Sequence, residues 1–187
     1  MNRIFLGLAV ADGSLLLASL VLGLIAAGEP RGPGETWHGV HLLVGLLTTM
    51  TTLLVHSIVF TYLLGTGRWV KEVVHVYKLP NWVYAQAVKN KRKAFPFEFW
   101  GMALVGLTAW LGAAADTRKG FDPAWHLGLA ALTLAFNLGA FVAEYATIKA
   151  QARLLLEVKD QADRLREAQL AARTPPVATL APDAPLA

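Results

Sequence analysis

Residues 39–64 read GVHLLVGLLTTMTTLLVHSIVFTYLL, an apolar run with no Lys, Arg, Asp or Glu. At about 1.5 Å per residue, roughly 20 such residues cross a hydrocarbon core of about 30 Å, so a transmembrane helix is expected with its span at about 40–64. The run also carries His41, His56 and a row of threonines. Lipid offers these groups no hydrogen-bond partner, so they should face other protein. At about 100° per residue, Thr48 and Thr52 point within about 20° of His41, and His56 about 60° from it. This makes a polar stripe, and Gly45 on the same helix permits close approach of a neighbour. The threonines are also suited to bonding the backbone carbonyl four residues back.

The rest of the chain fits the same setting. Of its 187 residues, 55% are hydrophobic and 16% charged, where soluble domains carry about 25% charge. There is no cysteine, hence no disulfide, thiolate metal site or thiol nucleophile. Residues 4–27 form a first apolar run interrupted by Asp12, Gly13 and Ser14. A signal peptide would have a shorter, uncharged core, so a first membrane helix is the better reading. Further spans are expected at about 99–115 and 125–148. The fold class is therefore an all-α membrane protein, a four-helix bundle in residues 1–150.

Between the second and third spans lies a basic segment, 65–96, in which aromatic and aliphatic residues alternate with Lys and Arg. Gly65 and Gly67 are expected to end the second helix, and Pro80 to divide the rest of the segment in two. Two short amphipathic helices lying on an anionic bilayer surface would suit this pattern. Residues 149–173 extend the fourth span as a helix without Gly or Pro, in which Leu155, Val158, Ala162, Leu165, Gln169 and Ala172 fall at 3–4 spacing. That seam could meet a membrane-protein partner or a second copy. Residues 174–187, rich in Pro and Ala, read as a disordered tail.

Orientation follows from Lys and Arg. Fourteen of the 17 lie in the N-terminus, the middle loop or the C-terminal region; Arg31, Arg118 and Lys119 are the exceptions. The positive-inside rule then places both termini and the middle loop in the cytoplasm, as in a protein of a cytoplasmic-type inner membrane. The same distribution removes any reason to read the net charge of +4 as a nucleic-acid signal.

Two polar layers are expected at different depths. The outer one holds His38 and His41 at the start of the second span and His126 at the start of the fourth. Imidazoles facing across a bundle suit a b-type haem, between His41 (or His38) and His126, or a divalent metal. His41 and His56, about 22 Å apart along a helix, would suit two stacked haems, but the fourth span offers only His126. The inner layer holds Asp12, His56, Asn137 and Glu144, with an Asp12–His56 hydrogen bond expected from their equal depth. Trp37-His38 and Trp125-His126 hint at a duplication offset by 88 residues, which superposes His56 on Glu144.

No phosphate loop, nucleophile elbow or zinc-protease motif is present. The function classes left are a non-catalytic subunit or scaffold of a membrane complex, a single-haem redox protein, and a proton- or metal-ion-conducting bundle.

Overall fold

The computed structural model describes residues 1–29, 36–117 and 122–173. The expected tail at 174–187 and parts of two loops, 30–35 and 118–121, lie outside the described residues. Those described form four helices: α1 (Asn2–Ala27), α2 (Trp37–Tyr77), α3 (Asn81–Thr117) and α4 (Ala124–Arg173). Each contains a stretch long and apolar enough to cross a membrane, and the protein inside buries only 11% of that stretch in α1 and 28% in α2. Most of the apolar surface therefore points outward; Leu17, Leu43, Leu47, Met50, Leu54 and Val142 are all exposed. In water such a surface would drive aggregation, whereas lipid covers it, and the protein is a multi-pass membrane protein. All six tryptophans lie on this outer surface.

The helices run on past the expected ends. Gly65 and Gly67 do not stop α2, and Pro96 sits inside α3 without ending it. A glycine weakens a helix without forbidding it, and proline removes one backbone bond. Here tertiary packing supplies the difference. The basic segment is thus not a pair of short helices lying flat but the continuation of α2 and α3, turned at Lys78–Pro80. Phe5, Leu16, Val55, Val59, Leu63 and Ile148 form one core among the spans, and Val70, Val74, Leu79, Val83 and Ala87 pack with Leu154 and Val158 of α4 into a second. α2 alone, at 41 residues, is about 60 Å long, twice a hydrocarbon core, so its basic half projects beyond the bilayer.

Of the seam expected on 149–173, only Val158 and Ala162 are buried within the chain; Leu155 is half-buried, and Leu165, Gln169 and Ala172 are exposed. Gln151 and Leu154 are also buried, whereas Leu170 is exposed. Where the two cores meet, Gln86 donates to Asn90, Asn90 to Gln151 Oε1 (3.0 Å) and Gln151 to the Thr66 hydroxyl (3.1 Å). This buried network ties α2, α3 and α4 together, each amide donating to the next.

The two helix-weakening glycines give a direct test. A Cβ at Gly65 or Gly67 would meet nothing within 4 Å, and neither φ is positive. Gly65→Ala and Gly67→Ala are each expected to stabilise the protein by about 0.5–1 kcal/mol, read as a higher midpoint of thermal unfolding in detergent. A fall in midpoint for both would show that α2 is not continuous there.

Candidate functional site: a buried acid–imidazole centre

The two hairpins, α1–α2 and α3–α4, repeat the same contacts. His41 Nδ1 lies 3.1 Å from the Ser19 carbonyl, and His126 Nδ1 lies 3.1 Å from the Thr108 carbonyl. Thr48 donates to Leu15 O at 3.3 Å, and Thr133 to Leu104 O at 3.4 Å. Gly23 presses on the His41 ring as Gly112 does on the His126 ring. The repeat therefore maps α1 onto α3 with an offset of 89 residues and α2 onto α4 with 85. This corrects the 88-residue register: the two Trp-His pairs are not equivalent, and His41, not His38, matches His126. Contacting residues are 22 apart in the first hairpin and 18 in the second, so aligning the halves on their Trp-His pairs misplaces the helices.

The centre forms where the halves differ. On α1 the position is Asp12; its counterpart on α3 is Gly101. Thr52 Oγ1 donates to Asp12 Oδ1 at 2.9 Å, both fully buried. The expected Asp12–His56 hydrogen bond is not made. Four-residue steps drift by about 40° around a helix, so the stripe that faces α1 at Thr48 and Thr52 has turned toward α4 by His56.

There His56 Nδ1 lies 2.6 Å from Glu144 Oε1, and His56 Nε2 lies 2.7 Å from Asn137 Oδ1. His56 and Glu144 are thus bonded to each other, not equivalents in a repeat. Phe141, the true counterpart of His56, stacks on its ring at 5.6 Å between centroids. A Cβ at Gly101 would clash with His56 Nε2 and fall 2.8 Å from Asn137 Oδ1, so only glycine leaves room for this bond.

The partners assign the protons. Asn137 Nδ2 donates to Thr133 O at 2.8 Å, which turns its Oδ1 toward His56 as an acceptor and places a hydrogen on Nε2. The bridge to Glu144 then holds one proton, on nitrogen in an ion pair or on oxygen in a neutral pair. The 2.6 Å separation is that of a short, charge-assisted bond.

Two further carboxyls lie close enough to act on this pair electrostatically: Asp12 and Glu98. Glu98 is 1% exposed, and neither of its oxygens has a partner among the described residues; Asp12 Oδ2 and Glu144 Oε2 are likewise unpartnered. No Lys or Arg among the described residues pairs with any of the three acids. Three ionised carboxylates against one imidazolium would leave buried unpaired charge, which costs several kcal/mol per ion.

All four inner-layer residues, Asp12, His56, Asn137 and Glu144, are brought together in this way. Glu98 and Gly101 were missed from the sequence. Glu98 was visible as an acid next to the apolar span, but its depth depends on α3 passing through Pro96. In the outer layer His41 and His126 face each other with ring centroids 6.1 Å apart. His38 is turned aside to Asp116 (Nε2 to Oδ1, 2.9 Å). No group of three His, Asp or Glu that could hold a metal ion occurs among the described residues. Thr49 and Thr51 bond carbonyls four residues back, as expected of them, and Thr48 does so at 2.7 Å besides reaching α1. His75 is exposed.

Compared with known proteins, the chain matches no family model, no curated protein and no solved structure, so its function has to be read from these side chains.

Proposed function

We propose that the protein is a proton-conducting helix bundle in which the His56–Glu144 pair, with Asp12 and Glu98, takes up and releases protons in the membrane interior. The observation that carries this reading is the set of four buried carboxyl oxygens without a partner. A network serving only as glue between helices would satisfy its own members, because an unmet buried polar group costs about 1–3 kcal/mol. Ionisable groups at such depth commonly mark proton and ion pathways.

The flanks are suited to a path. On one side Thr133, one turn of α4 from Asn137, shares a hydroxyl–hydroxyl bond of 2.7 Å with Thr108. On the other, Thr147 and the buried amide of Gln151 lie one and two turns of α4 beyond Glu144. Waters between these groups would carry the proton, since amides themselves relay it poorly. The Lys and Arg distribution supports a cytoplasmic-type membrane with both termini and the three-helix extension inside, its basic residues meeting anionic headgroups. A purely structural subunit of a larger complex, the first expectation from sequence, gives no account of the unpartnered oxygens.

Infrared difference spectroscopy of the protein in lipid, stepped in pH, tests the reading. Protonated carboxyls have their own carbonyl band; it is expected to change with pH and to lose separate components in Asp12→Asn, Glu98→Gln and Glu144→Gln. Asp12→Asn keeps the acceptor for Thr52, so its unfolding midpoint should stay within a few degrees of the parent. A carbonyl band that is absent, or the same in all three variants, contradicts the proposal.

A further inference from the structure

We propose that His41 and His126 are the two axial ligands of an iron porphyrin of the b type, bound between the hairpins on the far side of Thr108 and Thr133 from the proton centre. The site is separate from the one just described, and neither proposal depends on the other.

Hydrogen bonds fix the state of both rings. A carbonyl oxygen can only accept, so the Ser19 and Thr108 carbonyls fix a hydrogen on Nδ1 of His41 and of His126. Each neutral imidazole then keeps its lone pair on Nε2, and among the described residues neither Nε2 has a hydrogen-bond partner. Metal-ligating histidines are commonly held in this way, by a backbone carbonyl on the nitrogen that does not bind metal.

Each ring is seated against a glycine. A Cβ at Gly23 would fall 2.9 Å from His41 Cε1, and one at Gly112 3.0 Å from His126 Cε1. Glycine on the neighbouring helix thus sets each ring against backbone. The same device appears once in each hairpin, so each half supplies one ligand of the same geometry.

The number of donors narrows the ligand. No third His, Asp or Glu joins the pair among the described residues, and His38 is held by Asp116. A bare divalent ion asks for four or more donors. An iron porphyrin brings four of its own and needs two from the protein, one on each face. Spacing agrees: with metal–imidazole bonds of about 2 Å and about 1.1 Å from nitrogen to ring centre, two axial imidazoles stand roughly 6 Å apart, against 6.1 Å between these centroids. His56 cannot serve a second haem, because Glu144 and Asn137 occupy both its nitrogens. One haem per chain is the expected content.

The test uses the full chain in mild detergent, titrated with hemin, with a reduced-minus-oxidised spectrum and a pyridine haemochrome assay on the saturated sample. Wild type is expected to bind one equivalent saturably with the sharp reduced α band of six-coordinate, low-spin iron. His41→Ala and His126→Ala should lose that band, while the exposed His75→Ala should keep it. His126→Met, which retains a ligand in place, should keep bound haem but raise its reduction potential. Wild-type protein that takes up no hemin saturably overturns the proposal, whatever the variants do. So does a low-spin spectrum unchanged in both alanine variants.

Discussion

Replacing Glu144 with leucine is expected to cost about 3–5 kcal/mol of stability, the range for breaking a buried pair by removing one partner. His56 is fully buried, and Glu144 is the hydrogen-bond partner of its Nδ1 at 2.6 Å. Leucine fills the volume and leaves that nitrogen facing hydrocarbon, with Asp12 and Glu98 still nearby. Glu144→Gln separates the charge from the shape. Its side-chain amide can still donate to Nδ1 of the neutral ring, so a smaller loss of about 1–2 kcal/mol is expected, with the bundle intact. Equilibrium unfolding in detergent, followed by circular dichroism, distinguishes the two. A leucine variant as stable as wild type would mean that the pair is not the hub of the bundle.

Gly101→Ala is the second large effect, from a single added methyl. Its Cβ would overlap His56 Nε2 and sit 2.8 Å from Asn137 Oδ1, which no relaxed packing allows. Neither neighbour is free to yield. His56 is clamped between Glu144 and the Phe141 ring, and Asn137 is tied to Thr133 O. Overpacking a close-packed site costs about 1–3 kcal/mol, and losing the 2.7 Å bond of His56 to Asn137 adds about 1–3 kcal/mol for the groups left unmet. Gly106→Ala is the control on the same helix: a Cβ there meets nothing within 4 Å, so it should be neutral or slightly stabilising. Equal losses at both positions would remove the special role of Gly101.

The contrast between these glycines shows what a sequence of this kind discloses. Four spans were legible because apolar runs are long and charges within them few. The polar layers were legible for the same reason: Asp12, His56, Asn137 and Glu144 stand out against leucine and alanine, and burying them without partners is costly. Their pairing was not legible. Equal depth suggested Asp12 for His56, but a residue's direction around its helix, set by small drifts from four-residue steps, gave Asp12 to Thr52 and His56 to Glu144.

The helix ends failed for a different reason. Gly65, Gly67 and Pro96 carry local penalties of about 1–3 kcal/mol, and packing of Val70, Val74, Val83 and Ala87 against α4 outweighs them. That packing joins residues distant in sequence, so no local rule reports it. Likewise the repeat was visible as a hint in Trp-His, yet its register lies in contacts such as His41 to Ser19 and His126 to Thr108. Gly101 gives no sequence signal at all, since its importance is the absence of an atom where two other helices meet.

Proton flux into liposomes tests the central claim most directly. Purified protein is reconstituted into vesicles containing a pH-sensitive dye, and a potassium gradient with valinomycin drives protons inward. Wild type is expected to acidify the interior well above protein-free vesicles. Glu144→Gln, folded and inserted to the same extent, should fall at least about a hundredfold, the lower end of what one positioned proton-transfer group contributes. Flux in wild type no greater than in empty vesicles, or undiminished in Glu144→Gln, would contradict the account.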